Sequence, residues 1–137
     1  MLLRDATRPL DFPELRIDAA MVRLLWAEDW FDGPLCGMAE VSGEGCWFQF
    51  VEEADDERAD GWYRRYWLIR LSPEEVADEE YWHGEFTKYV NSRYDFTRSD
   101  NVVHPQSEWP KFYDRAASRT PRDLGGNPVI GWHETNA

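Results

Sequence analysis

Residues 62–75 read WYRRYWLIRLSPEE. The first ten positions are rich in aromatic and branched side chains, with three arginines among them, the composition of a β-strand. The last four change the rules. Ser72 is an N-cap whose hydroxyl can accept from the amide of Glu75, Glu75 can reach back to complete a capping box, and Pro73 takes the first helical position, where its missing N–H costs nothing. A strand that runs straight into a capped helix makes this an α+β chain.

Upstream of this junction the segments 21–27 (MVRLLWA), 35–41 and 46–52 have strand composition, the last two forming a hairpin. The acidic stretch 52–60 (EEADDERAD) is unpatterned and reads as a solvated loop before the fourth strand. Downstream, the helix is expected to reach Asn91 or Ser92. A short second helix is expected over 107–117, with Pro110 in its first turn. After the breaker TPRDLGGNP, residues 128–132 (PVIGW) can add an edge strand. The first eighteen residues hold Arg8-Pro9 and Phe12-Pro13 and read as an irregular arm lying on the body through Leu10, Phe12 and Leu15. The predicted fold is α+β: a four-stranded antiparallel β-meander packed on one capped α-helix, with a short second helix and irregular termini. At 137 residues one domain is expected, divided into the arm 1–18, meander 19–71, helix 72–92 and mixed segment 93–137.

Pairing Val41 with Cys46 across Ser42-Gly43-Glu44-Gly45 puts Leu35, Ala39, Val41, Cys46, Phe48 and Phe50 on one hairpin face, expected to be core. Cys36, Met38, Glu40, Trp47, Gln49 and Val51 share the other face. This register sets Cys36 opposite Val51, roughly 16 Å along the ladder from Cys46, too far for a disulfide. In the fourth strand Tyr63, Arg65, Trp67, Ile69 and Leu71 are expected to face inward. The reverse side, Trp62, Arg64, Tyr66, Leu68 and Arg70, is half apolar and must be covered by the chain ends or offered to a partner.

The chain carries 27 Asp and Glu against 15 Lys and Arg, a net charge of -12, together with eight Trp, seven Phe and six Tyr. That much aromatic surface predicts a folded globule beneath a negative skin rather than a disordered acidic tail. The charge disfavours nucleic acid and anionic membrane and favours a basic partner. No apolar run approaches the ~20 residues that span a bilayer, and the start lacks the order of a secretory signal, so a cytoplasmic, bacterial-type protein is expected.

Three places can carry chemistry. On a wheel of ~100° per residue, Val76, Trp82, Phe86, Tyr89 and Val90 form an apolar arc that includes Glu79 and His83. Four apart and facing the sheet, these two are the candidate acid/base couple. Their structural alternative is a link to Arg65 or Arg93. The turn between the first two strands, residues 27–34, interleaves Asp29 and Asp32 with Trp30 and Phe31, a composition that suits a cation held against an aromatic face. His104 precedes the second helix, and His133 lies near the C-terminus.

No phosphate loop, dinucleotide fingerprint, HExxH, CxxC or GxSxG pattern occurs, so no cofactor and no metal are expected. The leading expectation is a non-enzymatic protein-binding module or inhibitor, analogous in charge to small bacterial immunity proteins. It would engage a basic partner through Asp29, Trp30, Asp32, Trp62, Tyr66 and Trp109. The rival is a small hydrolase or ligand-binding domain using Glu79 and His83 at an aromatic pocket. A third possibility is mimicry of DNA phosphates by the acidic residues.

Overall fold

The computed structural model describes residues 15–56, 61–120 and 123–136. The junction at residue 71 forms as its composition demands. The strand β4 (Gly61–Arg70) leads into helix α1 (Pro73–Tyr89). Ser72 Oγ accepts from the Glu75 amide at 3.1 Å, and the Glu75 carboxylate accepts from the Ser72 amide at 2.9 Å.

The sheet has five strands where four were expected: β1 (Val22–Trp30), β2 (Pro34–Val41), β3 (Glu44–Asp56), β4 and β5 (Val129–Asn136), antiparallel and in sequence order. The α+β class holds. The extra strand grows from the stretch read as a possible short edge. It pairs with β4 from Tyr63↔Asn136 to Ile69↔Val129.

The acidic stretch is not a loop throughout. Glu52–Asp56 belong to β3 and pair with residues 61–65, because opposite charges meet across the strands. Glu52 contacts Arg65 at 3.0 Å and Glu53 contacts Arg64 at 3.5 Å.

The hairpin register also shifts. Ser42 and Gly43 both take positive φ, 52° and 85°, so the connection is a two-residue turn, and Val41 faces Glu44 rather than Cys46. Cys36 therefore faces Gln49. A slip of two residues keeps every side chain on its face, so the two thiols still lie on opposite sides of the sheet and are free.

Each face carries its own apolar cluster, so the hairpin face expected to be the core is only one of two. Trp26, Met38, Trp47, Trp67, Ile69, Leu71 and Trp132 pack under α1 through Val76. Ala27, Ala39, Cys46, Phe48, Tyr66 and Leu68 pack on the other face with Ile17, Val22, Leu24 and Ile130. Phe48 thus shares its side with Leu68, whereas Trp67 and Ile69 point the opposite way, correcting the inward set predicted for β4. On the half-apolar reverse side Tyr66 and Leu68 are buried with Ile17 and Tyr94 packed on their cluster, while Arg70 is exposed; most of the arm expected to cover it lies outside the described residues.

Both sheet edges carry short backbone pairings. The Ile17 amide donates to the Trp132 carbonyl at 2.7 Å on the β5 edge. On the β1 edge, Ala27 N–H donates to Tyr94 O and Phe96 N–H to Leu25 O, both at 2.9 Å. These short pairings interrupt each edge ladder among the described residues. Gly37 makes the irregular β1 possible: at φ 158°, a Cβ there would sit 2.1 Å from the Trp26 carbonyl oxygen.

Helix α1 ends at Tyr89, short of Asn91, because Val90 O and Asn91 turn to pair with residues 103 and 104. A 3-10 turn (Gln106–Glu108) and helix α2 (Pro110–Ala116) replace the single helix expected over 107–117. No helix among the described residues is long and apolar enough to cross a membrane. Leu10 and Phe12, and the side chain of Trp62, lie outside the described residues; Leu15 packs on the first cluster.

Candidate functional site

The helix α1 is sandwiched. One side presents Val76, Glu79, His83 and Val90 toward the sheet. Trp82 and Phe86 meet Phe112 of α2 edge to face, at 6.0 and 5.2 Å between ring centroids. Where α1 and α2 diverge from the end of β1, they leave a cleft of about 400 Å³. It is lined by six aromatic rings, Trp30, Trp82, Phe86, Tyr94, Phe112 and Tyr113, together with His83, Glu28, Asp29 and Arg119.

Each wall has a local cause. Trp30 ends β1 and is held flat against Tyr94, 4.7 Å between centroids and 17° between planes. Tyr94 is in place because residues 94–96 add to the β1 edge. The same edge pairing sets Asp95 beside α1, opposite Trp26.

His83 and Glu79 are both drawn in from the helix, and each finds a different partner. His83 stacks on Trp26 at 4.0 Å and 3°, and its Nε2 lies 2.7 Å from Asp95 Oδ2. Asp95 Oδ1 accepts from the Thr97 amide and hydroxyl at 2.9 and 2.5 Å. Glu79, 2 % exposed, accepts from Arg119 at 2.5 Å, and Arg119 also reaches Asp78 at 2.9 Å. The structural links run to Asp95 and Arg119, not to the Arg65 or Arg93 suggested by sequence. His83 lines the cleft and Glu79 does not.

The electrostatics follow burial. Burial lowers the His83 pKa, Asp95 opposes that shift, and Arg98 adds to it. Burial works against the Asp95 charge, yet the hydrogen bonds from Thr97 and His83 together bring its carboxyl below the ordinary range. An ionised carboxylate beside a neutral imidazole is the resting arrangement at neutral pH. The thiols of Cys36 and Cys46 are both pushed up to about 12, chiefly by burial, which leaves neither as a thiolate nucleophile.

Of the other residues singled out from sequence, Asp29 is exposed at the cleft rim. Asp32, at φ 54°, lies in the tight turn after β1. Asp32 and Tyr66 line a separate hollow on the far side of Trp30. Tyr66 is 1 % exposed and donates to Pro34 O. Buried Arg64 fixes the same turn through Pro34 O at 3.1 Å and Phe31 O at 2.7 Å. Trp109 is outside the cleft lining and donates to His104 O at 3.0 Å, and His104 Nε2 lies 3.0 Å from Thr87 O. His133 is buried against Tyr66 at 5.2 Å.

Sequence reading missed Tyr94, Asp95, Phe112 and Arg119. The SEWPKFYD composition marked a helix, but nothing local says that its aromatic side lines a cleft shared with Trp30. No group of three or more His, Cys, Asp or Glu side chains among the described residues is arranged to hold a metal ion. Comparison with protein-family models, with curated proteins and with solved structures gives no match.

Proposed function

We propose that this protein is a non-enzymatic binding module or inhibitor that engages a basic protein, seating a cationic side chain of that partner in the aromatic cleft. The observation that carries the reading is the cleft wall itself: aromatic faces with Glu28 and Asp29 at the rim, on a chain of net charge -12. A cation gains from ring quadrupoles and from carboxylates together, and gains more where water is partly excluded. The chain's own cations already use these rings, Arg119 lying 5.3 Å and Arg115 5.9 Å from the Trp82 centroid and Arg93 5.5 Å from that of Tyr94. The Arg119 guanidinium is neutralised by Asp78 and Glu79. Trp30 carries no such cation among the described residues and is 40 % exposed, which makes it the receiving face. The wider negative field would steer a basic partner in.

The test is a fluorescence titration with the peptide acetyl-Gly-Arg-Gly-amide and its citrulline counterpart, equal in shape and uncharged. The arginine peptide is expected to bind at least tenfold tighter, to weaken with salt, and to lose at least fivefold in Trp30→Ala. Equal binding of the two peptides, or none, would overturn the reading.

A second reading rests on His83: an imidazole oriented by a carboxylate at a cleft wall is how a general base is held. Among the described residues no Ser, Thr or Cys lines this cleft, so water would be the nucleophile. Turnover of a panel of esters and amides that disappears in His83→Phe would favour this hydrolase over the binding module.

A further inference from the structure

The fold occupies only one of the two ring nitrogens of His83. Asp95 Oδ1 is taken by Thr97, and its Oδ2 faces His83 Nε2 at 2.7 Å. An ionised carboxylate only accepts, so Nε2 carries the proton and donates. At neutral pH the ring is uncharged, because burial opposes a second proton. Nδ1 therefore holds a lone pair. It has no hydrogen-bond partner among the described residues, and it is not among the polar atoms sealed from solvent. The ring belongs to the cleft wall, and its stacking on Trp26 at 4.0 Å holds it there.

Building on the cation-binding reading above, we propose that His83 Nδ1 is an acceptor that makes the cleft selective for cations bearing N–H donors, the ammonium of lysine or the guanidinium of arginine, over quaternary ammonium groups. A trimethylated lysine keeps its charge and its attraction to Trp30, but it has no proton to give. Its methyl groups would displace water from Nδ1 and leave that acceptor unpaired, which is unfavourable. A protonated amine makes a charge-assisted bond to the same atom and keeps further donors for the carboxylates at the rim. One such bond in a partly desolvated site is worth about tenfold in affinity.

The experiment is isothermal titration at pH 7.5 of the intact protein with acetyl-Gly-Lys-Gly-amide and its trimethyllysine counterpart, repeated on His83→Phe, which keeps a ring against Trp26 but has no acceptor. The wild type is expected to prefer lysine about tenfold, and His83→Phe to reduce that preference below threefold by weakening lysine alone. Equal wild-type affinities, both weakened by Trp30→Ala, would overturn the role of Nδ1 and leave the cation-binding reading standing. No binding of either peptide would overturn both. The wild-type comparison needs no variant, and circular dichroism shows whether His83→Phe is folded.

Discussion

His133 is the clearest case of a residue whose chemistry is dictated by position. Its ring is 1 % exposed, stacked on Tyr66, and neither nitrogen has a hydrogen-bond partner among the described residues. Burial alone lowers its pKa from 6.5 to about 4. The unfolded chain takes up this proton below pH 6.5 while the folded protein resists it until about pH 4, so stability present at pH 7 is lost as pH falls through that window. The full loss is on the order of 3 kcal/mol. Urea unfolding at pH 7 and pH 4.5 measures it: His133→Phe is expected to lose clearly less stability between the two than the wild type. Parallel losses in the two proteins would show that this imidazole is not the group titrating. At the same scale, Glu79 and His83 were legible as inward-facing because four-residue spacing is a property of the helix alone. Their partners were not, since Asp95 is 12 positions from His83 and Arg119 is 40 from Glu79. Only the path of the chain brings those charges together.

Among the elements, α1 was the most readable because its start depends on four consecutive residues. Ser72, Pro73 and Glu75 satisfy the first turn before any tertiary contact forms. Ser72→Ala is accordingly expected to cost about 1 kcal/mol, read as a lowered urea midpoint with unchanged slope by tryptophan fluorescence. An unchanged midpoint would mean that packing, not the cap, holds this end. Strand β3 was less readable. Its acidic half has poor strand composition, and it is made a strand by arginines on β4 that no local window connects to it. The turn at Ser42-Gly43 shows the same limit, because a non-glycine residue at positive φ carries weak local signal. Strand β5 was visible as PVIGW but not as a full partner of β4. A bulge opposite Leu68 and Ile69, where β5 carries the extra residue Ile130, interrupts the alternation that marks a strand. Gly131 on that bulge has φ 155° and would place a Cβ 2.4 Å from the Leu15 carbonyl oxygen, so the irregularity is required by the segment that covers the edge.

Over the whole molecule the same residues do two things. The tryptophans and phenylalanines needed to close two apolar clusters also supply, where α1, α2 and the β1 edge diverge, rings left partly in water. The acid excess coats the surface around them. Composition alone announced both properties. It could not place the cleft, because Trp30, Phe86, Tyr94 and Phe112 come from four separate segments. A cation entering there should be felt by the rings that line it and not by those in the sheet. The most direct measurement is the set of tryptophan indole cross-peaks in a proton–nitrogen correlation spectrum during titration with acetyl-Gly-Arg-Gly-amide. Binding of a cation in this cleft requires that the Trp30 and Trp82 indole signals move together and saturate, while those of Trp47 and Trp67, buried in the sheet, stay in place. Signals that all stay fixed, or that move at Trp109 and not at Trp30, would contradict it.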